Sequence, residues 1–384
     1  MRITFCSDAL PPVIDGVTRT LSELATALHA AAVDFLFLSA VKPDAGLPWH
    51  DRVHTMSGVP IPLYPDYRLA LPRAKTLDPV LDRFAPDLVH VVTPSLLGLY
   101  GLRYARRRGL PVVASFHTDF VSLLPHYGFG TLEPFGRRLA RRFYSQCSIT
   151  LAPSRSTANA LRAHGIRNVA LWQRGVNPIR FSPSFRSASL RAVAGADGTP
   201  ILLYVGRLGR EKNLRFLVRA MHLLAQRETR FRLVIVGRGP MGAELAANLP
   251  NAHFTGSLEG PELSRWYASA DLFVFPSQIE TFGNVVLEAF ASGLPVVGVD
   301  AGGVGELVTS GVNGLLASAQ SPSAFADAVH SLLSEPETIA RMSVNAQRTA
   351  AQYRWPEMAR QLLDHYERLV LPGGRRSGAL AAAV

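Results

Sequence analysis

Two carboxylates, Glu280 and Glu288, lie in the stretch PSQIETFGNVVLEAF at residues 276–290. The apolar run at residues 272–275 predicts a buried strand, and residues 281–291 are predicted as the helix that follows it. A helix start presents unpaired backbone N–H groups and the positive end of its dipole, which suits a phosphate. A fully helical spacing of eight residues spans roughly 12 Å, so the carboxylates could bind different hydroxyl groups of one ligand. The pattern predicts a site for a phosphorylated, polyhydroxylated ligand such as a sugar nucleotide.

Two cations, Arg207 and Lys212, follow the apolar run at residues 201–205, which is predicted as the first strand of a second domain. At the carboxyl edge of that strand they could neutralise a pyrophosphate. The chain has 37 arginines and three lysines, and Lys212 is the only lysine after residue 75. This composition indicates that a flexible point charge is needed there and not a planar guanidinium.

Three further positions at predicted strand ends could contact the same kind of ligand. Gly16 lies between the first strand and the first helix, where backbone N–H groups could approach a phosphate or sugar closely. His117 closes the strand at residues 112–116 and could hydrogen-bond a sugar hydroxyl. Gly237 lacks the full Gly-x-Gly-x-x-Gly fingerprint of dinucleotide sites and fits the wall of a base pocket instead.

Several other kinds of site are not expected. The chain has no Asp-x-Asp pair that could hold a divalent cation against a diphosphate and no Cys/His cluster at zinc spacing, so we expect no metal and no cofactor. A Walker loop and a Gly-x-Ser-x-Gly elbow are also missing from the sequence. Helix-turn-helix, zinc-finger and RNA-recognition signatures are missing too, so nucleic acid is not an expected partner.

The elements that must position these residues predict two domains. A chain of 384 residues with 48% hydrophobic residues is too long for one ordinary core. Short β-rich runs alternate with helical patterns, which predicts parallel sheets. The predicted fold class is α/β, with two Rossmann-like doubly wound domains facing each other across a cleft at the carboxyl ends of their strands.

The predicted boundaries follow from the same patterns. The segments are an N-terminal domain at residues 1–180, a linker at 181–200, a C-terminal domain at 201–354, a helix at 355–371 that crosses back to the first domain, and a flexible tail at 372–384. The predicted strands lie at residues 3–7, 35–39, 88–92, 112–116, 149–152 and 169–172 in the first domain, and at 201–205, 231–236, 253–255, 272–275 and 295–299 in the second.

The N-terminal sequence and the number of cysteines indicate in which cellular compartment the protein is expected. Residues 1–8 combine a strand pattern with an early aspartate, unlike a signal peptide, and no apolar stretch is long enough to cross a bilayer. We therefore expect a cytoplasmic protein. Cys6 and Cys147 are too few for a disulfide framework and are expected to be small core residues.

The formal charge of +11 belongs mainly to the first half of the chain. Residues 1–185 carry 21 Lys+Arg against 12 Asp+Glu, whereas residues 186–384 carry 19 against 17. Phe135, Leu139 and Phe143 are spaced as one helical stripe, with arginines largely opposite. Such a basic amphipathic helix can lie on an anionic membrane. A solvated face on an ordinary helix, whose apolar stripe packs inward, is the alternative.

Taken together, these residues resemble the family-four retaining glycosyltransferases, which have the two-Rossmann GT-B fold. The resemblance covers nearly the whole chain, and its most specific part is ETFGNVVLE at residues 280–288. A particular branch is indicated by the stretches FHTDF at residues 116–120, HYG at 126–128, PSRS at 153–156 and WQRGV at 172–176. That branch includes GDP-mannose-dependent α-mannosyltransferases and sulfoquinovosyltransferases, which glycosylate membrane lipids.

The resemblance implies a role for each candidate residue. Arg207 and Lys212 would stabilise the leaving nucleoside diphosphate as preorganised charge. Glu280 would accept hydrogen bonds from donor-sugar hydroxyls and Glu288 from ribose hydroxyls. The other implied contacts are backbone N–H groups of Phe282, Gly283, Asn284 and Val285 to phosphate and sugar, Gly16 over the diphosphate, and His117 beside the reacting sugar. Because retention in this family is described as front-face attack, no enzymic nucleophile is expected, and the carboxylates are not a glycosidase pair.

Within this branch, GDP-mannose is the favoured donor, and the basic first half of the chain favours a lipid or lipid-linked glycan at an anionic membrane surface as the acceptor. Glu259 falls near the expected base pocket, and a carboxylate can accept two hydrogen bonds from guanine but only one from uracil. A UDP-sugar-dependent glucosyl or sulfoquinovosyl transferase acting on diacylglycerol lipids is one alternative, and a GT-B epimerase or sugar phosphorylase is another. Two features depart from the family pattern, namely Arg238 at an often acidic position and Gln173-Arg174 in place of a Pro-Asn type of sequence.

Overall fold

The computed structural model describes residues 1–13, 15–61 and 64–370, so the predicted tail at residues 372–384 lies outside the described part. The described chain divides into two compact units. Unit 1 comprises Met1–Val121, Leu132–Arg174 and the chain from Trp355 onward, and unit 2 comprises Ser122–Thr131 and Gly175–Arg354. The predicted fold class is confirmed in that each unit is built on a parallel sheet covered by helices.

Unit 1 contains a seven-stranded parallel sheet. Its strands are β1 Arg2–Cys6, β2 Asp34–Ser39, β3 Val53–Thr55, β6 Leu88–Val91, β7 Val112–Ser115, β8 Ile149–Ala152 and β9 Val169–Leu171. They are arranged in the order β3-β2-β1-β6-β7-β8-β9, and every neighbouring pair is parallel. A separate antiparallel pair is formed by β4 Gly58–Ile61 and β5 Tyr64–Ala70. The carboxyl ends of β1, β7 and β9 therefore meet at one edge of the sheet.

The helices of unit 1 cover both faces of this sheet. They are α1 Gly16–Ala30, α2 Ala74–Phe84, α3 Leu96–Arg108, α5 Glu133–Tyr144, α6 Arg155–Ala163 and α15 Trp355–Val370, with the short α4 Phe120–Leu123 at the boundary with unit 2. The start of α1 is fixed by a capping box, in which the Asp15 carboxylate accepts the Thr18 N–H at 2.6 Å and Thr18 Oγ1 accepts the Asp15 N–H at 3.1 Å. Because Asp15 caps the helix, Gly16 is its first residue.

The core of unit 1 follows the alternation of side chains along its strands. Ile3 and Phe5 pack on one face of the sheet with α1 and α15, whereas Cys6 packs on the other face with α2 and α3. Trp172 anchors α15 to this unit, since its Nε1 donates to the Met358 carbonyl at 2.9 Å. Both cysteines are buried and free, as expected.

A buried histidine links the sheet of unit 1 to α15. His90, on β6, is 1% exposed. Its Nδ1 shares a hydrogen bond with the Tyr366 hydroxyl of α15, and its Nε2 lies 2.7 Å from Ser115 Oγ. Burial, together with the positive charge of Arg174, lowers the pKa of His90 to about 3. The imidazole is therefore neutral in the folded unit.

Acidification is expected to destabilise unit 1 through His90. Below the ordinary histidine pKa of about 6.5, the unfolded chain binds a proton that the folded unit excludes, so this stability is present above pH 6.5 and is lost as the pH falls toward 3. We expect a loss of about 2 kcal/mol between pH 7 and pH 5. Urea unfolding followed by tryptophan fluorescence checks this in a Trp266→Phe background, because the three remaining tryptophans, Trp49, Trp172 and Trp355, belong to unit 1.

His90→Gln should reduce the loss of stability between pH 7 and pH 5 by about 2 kcal/mol, whereas His50→Gln, at an exposed histidine of the same unit, should leave it unchanged. An equal slope in the His90→Gln protein and its parent would contradict the assignment to His90.

Unit 2 contains a six-stranded parallel sheet. Its strands are β10 Ile201–Val205, β11 Arg232–Val236, β12 His253–Gly256, β13 Leu272–Phe275, β14 Val296–Val299 and β15 Gly314–Ala317. They are arranged in the order β12-β11-β10-β13-β14-β15. Its helices are α7 Ala188–Val193, α8 Leu214–Gln226, α9 Gly242–Asn248, α10 Gly260–Ser269, α11 Asn284–Ala291, α12 Gly302–Leu307, α13 Pro322–Ser334 and α14 Pro336–Ala350. All five residues of β10 are buried, as expected for a central strand covered on both faces.

The segment predicted as a linker, residues 181–200, is an integral part of unit 2. Arg186 Nη2 and Arg191 Nη1 bind the two oxygens of Asp271 at 2.7 and 2.8 Å, and Phe181 is 3% exposed. The polar composition that indicated a linker instead reflects arginines bound to one carboxylate. The N-terminal stretch of unit 1 ends at Arg174, before the predicted boundary at residue 180, and residues 175–180 belong to unit 2.

Candidate functional site

Two of the charged residues singled out by sequence, Lys212 and Glu280, bind each other. β10 and β13 are neighbours in the sheet of unit 2, so the loops that follow them meet at its carboxyl edge. Lys212 Nζ lies 2.5 Å from Glu280 Oε1, and Ser277 Oγ donates to the same oxygen at 2.7 Å. The two charged side chains are 21% and 14% exposed. The second carboxylate oxygen, Oε2, has no partner among the described residues and is available to a ligand.

A buried tyrosine forms a hydrogen bond with the loop that carries Lys212. Tyr204, on β10, donates from its hydroxyl to the Arg207 carbonyl at 3.1 Å. Burial, with the Glu280 and Glu211 carboxylates nearby, raises the pKa of Tyr204 well above its usual range, so the hydroxyl remains a donor. Arg207 itself is exposed. It follows β10, so it lies at the carboxyl edge of the sheet.

The helix after Glu280 begins three residues later than predicted. α11 starts at Asn284, because Gly283 adopts a φ of +103° that interrupts regular helix before it. Its N-cap residue, Gly283, has no side chain that could cap the helix, and the first turn of a helix is suited to an anion. Phe282 is 4% exposed and packs edge-on against Tyr353, so only its backbone can serve a ligand. Val285 follows in the first turn of α11.

A glycine that the sequence patterns did not single out keeps this loop in place. Gly303, in α12, donates its N–H to the Glu280 carbonyl at 2.8 Å. A Cβ at this position would lie 2.3 Å from the Phe282 carbonyl oxygen. Only glycine allows α12 to approach the loop this closely. The run Ala301-Gly-Gly-Val304 was a signal that could have identified it.

The second carboxylate, Glu288, is more enclosed than its spacing suggested. It lies about one turn into α11, because the helix begins at Asn284 and not at the predicted residue 281, and it is 3% exposed. Its Oε2 accepts a hydrogen bond from the Tyr267 hydroxyl at 2.9 Å. Because residues 280–283 are not helical, the axial separation expected for a continuous helix does not apply to Glu280 and Glu288.

The predicted base-pocket residues, Gly237 and Glu259, lie beyond the ends of β11 and β12. Gly237 has a φ of +144° and donates its N–H to the Gly256 carbonyl at 2.8 Å. A Cβ on Gly237 would lie 1.9 Å from the Gly206 carbonyl oxygen, so these two loops pack backbone to backbone. Glu259 is exposed and immediately precedes α10. Its carboxylate is accessible at this edge of the sheet.

A residue pair missed by the sequence patterns lies beside Lys212. Glu211 is 8% exposed, and its Oε2 accepts a hydrogen bond from the Tyr127 hydroxyl at 3.0 Å. Tyr127 belongs to Ser122–Thr131, the short segment grouped with unit 2. The HYG stretch at residues 126–128 marked this position, but not its partner.

Gly16 and His117 both lie in unit 1, after β1 and β7 respectively. Gly16 is the first residue of α1. The Arg174 Nη2 lies 3.2 Å from His117 Nδ1. Burial is the main reason that the pKa of His117 is well below its usual range, and the positive charge of Arg174 lowers it further. Sequence reasoning registered Arg174 only as a departure from the family pattern.

A basic surface in unit 1 differs from its predicted arrangement. On α5, Phe143 is 4% exposed and packs inward, whereas Phe135 and Leu139 are 67% and 59% exposed. Arg138 and Arg142 are also exposed. Residues 135, 138, 139 and 142 therefore form one mixed apolar and basic outer face, because positions i, i+3, i+4 and i+7 share a side of a helix. We call these four residues the α5 outer face.

The chain is similar to known families over most of its length. Residues 14–180 match the family described as Glycosyltransferase Family 4, and residues 199–335 match Glycosyl transferases group 1. A GDP-mannose-dependent alpha-mannosyltransferase of Mycolicibacterium smegmatis is 37% identical over 98% of this chain and 99% of that protein. The sulfoquinovosyl transferase SQD2 of Arabidopsis thaliana is 33% identical over 79% of this chain and 61% of that protein.

The fold also has close structural counterparts. The crystal structure of Anabaena Alr3699/HepE in complex with UDP-glucose has a TM-score of 0.76, with 23% identity, over 96% of this chain and 100% of that chain. This similarity concerns the fold. None of the described helices is both long and apolar enough to span a membrane.

Proposed function

The chain belongs to the family 4 glycosyltransferases and is a hexosyltransferase, and we propose that it transfers a mannosyl group from GDP-mannose to a lipid or lipid-linked glycan with retention of configuration. The observation that carries the proposal is the Lys212–Glu280 pair shortly before the start of α11. It combines a cation for a diphosphate with a carboxylate oxygen for a sugar hydroxyl. Relatives that are 32–37% identical to this chain are named GDP-mannose-dependent alpha-mannosyltransferases, which supports GDP-mannose as the donor.

In this proposal, each candidate residue binds or orients the donor. Lys212 and Arg207 stabilise the diphosphate, backbone N–H groups from Phe282 to Val285 hold phosphate and sugar, and Glu280 Oε2 accepts from a mannose hydroxyl. Glu288 accepts from the ribose, Glu259 from guanine, and Gly237 forms a wall of the base pocket. Gly16 lies over the diphosphate, and His117 lies beside the transferred sugar.

The proposed reaction is one displacement at the anomeric carbon. The acceptor hydroxyl oxygen bonds to that carbon on the face from which the diphosphate leaves, and the carbon–oxygen bond to the β-phosphate breaks. The hydroxyl proton passes to the departing phosphate oxygen, and GDP is released. The charges of Lys212 and Arg207 are worth most here, because negative charge develops on the leaving group. Glu280 and Glu288 orient the donor and do not attack it.

A second candidate is transfer from a UDP-sugar to a diacylglycerol lipid. The similarity to SQD2, at 33% identity, supports this reading. The two candidates differ in the base, so Glu259 should discriminate between them.

The test measures nucleotide release from GDP-mannose and UDP-glucose, with and without a membrane lipid extract. Lipid-dependent release of GDP supports the proposal; release of UDP alone favours the second candidate, and acceptor-independent turnover favours an epimerase. Calorimetric titration with GDP and with UDP directly compares the affinities of the protein for nucleotides with the two bases. Glu259→Gln should weaken GDP binding about tenfold through its lost charge-assisted hydrogen bonds, whereas Glu262→Gln, at an exposed carboxylate on α10, should not.

We also propose that unit 1 binds an anionic membrane through the α5 outer face. Phe135 and Leu139 would enter the headgroup region, and Arg138 and Arg142 would contact lipid phosphates. No described carboxylate pairs with these two arginines, whereas Arg137 is bound to Glu133. The charge is therefore available to lipid. The enzyme would act as a peripheral protein on the cytoplasmic side.

Removing the charges of the α5 outer face should weaken membrane binding. Because each arginine near an anionic surface contributes about 1 kcal/mol, Arg138→Gln with Arg142→Gln should lower partitioning onto phosphatidylserine-containing vesicles about ten- to thirtyfold. The matched control is Arg341→Gln with Arg348→Gln, two exposed arginines on α14. Co-sedimentation measures both variants. Equal binding to neutral and anionic vesicles, or equal losses in the two variants, would contradict the proposal.

A further inference from the structure

Arg174 is a buried cation without a buried counter-ion. It is 3% exposed, and no carboxylate of the described residues pairs with it. Its guanidinium donates from Nη1 to the Trp172 carbonyl at 3.2 Å, and its Cζ lies 4.3 Å from the centroid of the Trp172 ring. Burial lowers the pKa of Arg174 to about 9, so it remains protonated at neutral pH. An isolated buried charge is costly, which indicates a use beyond packing.

The hydrogen bond between Arg174 and His117 determines which ring nitrogen of His117 carries the proton. A guanidinium carries only donors, so at 3.2 Å the Arg174 Nη2 must donate to His117 Nδ1. Nδ1 is then the acceptor of the ring and carries no proton. In the neutral imidazole the proton lies on Nε2.

The charged and titratable groups facing this ring keep it neutral. Burial is the main effect that disfavours a positive charge on His117, and the positive charge of Arg174 acts in the same direction, whereas the nearby His90 is neutral. β7 and β9 flank β8 in the sheet, so His117 and Arg174, which follow them, come from the same carboxyl edge. Their contact joins residues 57 positions apart.

We propose that Arg174 is a positioning residue that holds His117 as the Nε2–H tautomer, so that the ring offers a hydrogen-bond donor to an oxygen of the transferred sugar. This inference rests on the proposed role of His117 beside that sugar. A neutral donor orients a hydroxyl without adding a second full positive charge close to the anomeric carbon, where positive charge develops in glycosyl transfer. The stacked Trp172 ring and carbonyl hold the guanidinium in the orientation that this requires.

The first test is the tautomer itself, read from ¹⁵N chemical shifts of labelled histidine in the full, ligand-free chain. Of 11 histidines, the His117 signals are assigned by their loss in His117→Gln. We expect Nε2–H in the parent and a mixed or Nδ1–H population in Arg174→Met. The matched control is Arg52→Met, which removes another arginine stacked on an aromatic ring of unit 1, 5.2 Å from the Phe35 centroid. An Nδ1–H ring in the parent, or an unchanged ring in Arg174→Met, would overturn the inference.

The second test is a double-mutant cycle on transfer from GDP-mannose. Arg174→Met should lower kcat about 10- to 100-fold with little change in KM, because the reacting groups are misplaced. In a His117→Gln background the same change should cost less than about threefold, since Arg174 acts through His117. Losses that multiply in the double variant would assign Arg174 a structural role only. If Arg174→Met does not fold, Arg174→Lys should retain the Nε2–H tautomer, and loss of that tautomer in a folded protein would count against the inference.

The two tests distinguish a failure of the proposed function from a failure of the positioning role of Arg174. The tautomer is measured without substrate, so a parent protein that transfers nothing from GDP-mannose refutes the proposed function and leaves the Arg174 result standing. A wrong tautomer in an active enzyme refutes the positioning role alone.

Discussion

Replacing Lys212 by methionine is expected to lower kcat for glycosyl transfer about 10³-fold, since one donor aimed at developing negative charge is worth about 10²–10³. Lys212 would otherwise stabilise the leaving diphosphate. The substitution also leaves the Glu280 carboxylate, 14% exposed, without its cation at 2.5 Å. An unpaired carboxylate would then repel the donor phosphates, which adds to the loss. Steady-state kinetics with saturating donor measures the change.

A double variant separates the loss of the Lys212 charge from the repulsion by the unpaired Glu280 carboxylate. Lys212→Met with Glu280→Gln removes both charges, so it should recover part of the activity lost in Lys212→Met if repulsion contributes. The matched control is Lys75→Met, at an exposed lysine on α2 of unit 1. Lys212→Met activity within threefold of the Lys75→Met enzyme would refute the role of Lys212 at the leaving group.

Replacing Glu288 by glutamine is expected to raise the Kd for GDP about 100-fold. Two hydrogen bonds from ribose hydroxyls to a charged acceptor contribute about 1.5–3 kcal/mol each, and the neutral amide offers a weaker acceptor and turns a donor toward the ribose. The substitution preserves the structural contact, because an amide oxygen still accepts from the Tyr267 hydroxyl that now donates to Glu288 at 2.9 Å. Calorimetric titration with GDP gives the Kd directly.

The enclosed position of Glu288 makes its control informative. Tyr267→Phe removes only the hydroxyl that binds Glu288, so it should alter stability more than GDP affinity. If Glu288→Gln binds GDP as tightly as the parent while Tyr267→Phe is destabilised, Glu288 is a structural residue of α10 and α11. That result would remove it from the donor site and leave the Lys212 prediction untouched.

The sheets of this protein were predictable because their strands are buried on both faces. β6, β7 and β13 are short apolar runs, and the structure places each within about one residue of its prediction. Two edge strands, β3 and β15, were not predicted. Both are short and only partly buried, and neither has the continuous run of β-branched or aromatic residues that marks a central strand, since β3 reads VHT and β15 reads GLLA.

Predictions from local sequence patterns were wrong where contacts with distant parts of the chain determine a residue's environment. The helix pattern of ETFGNVVLE hid the positive φ of Gly283, so α11 was predicted three residues too long. The spacing of Phe135, Leu139 and Phe143 predicted one stripe, yet only Phe143 faces a core. Periodicity records which residues share a side of a helix, whereas the neighbouring elements decide which side is covered.

The sequence alone determined the α/β class, the parallel strands and the residue types of the site, because apolar runs and turn residues act over a few positions. Only the tertiary structure decided which of those residues meet. Lys212 and Glu280 are 68 positions apart, and His117 and Arg174 are 57 apart. Their contacts depend on the order of strands in each sheet, which brings distant loops to the same carboxyl edge. That order results from packing of the whole unit, so no local pattern encodes it.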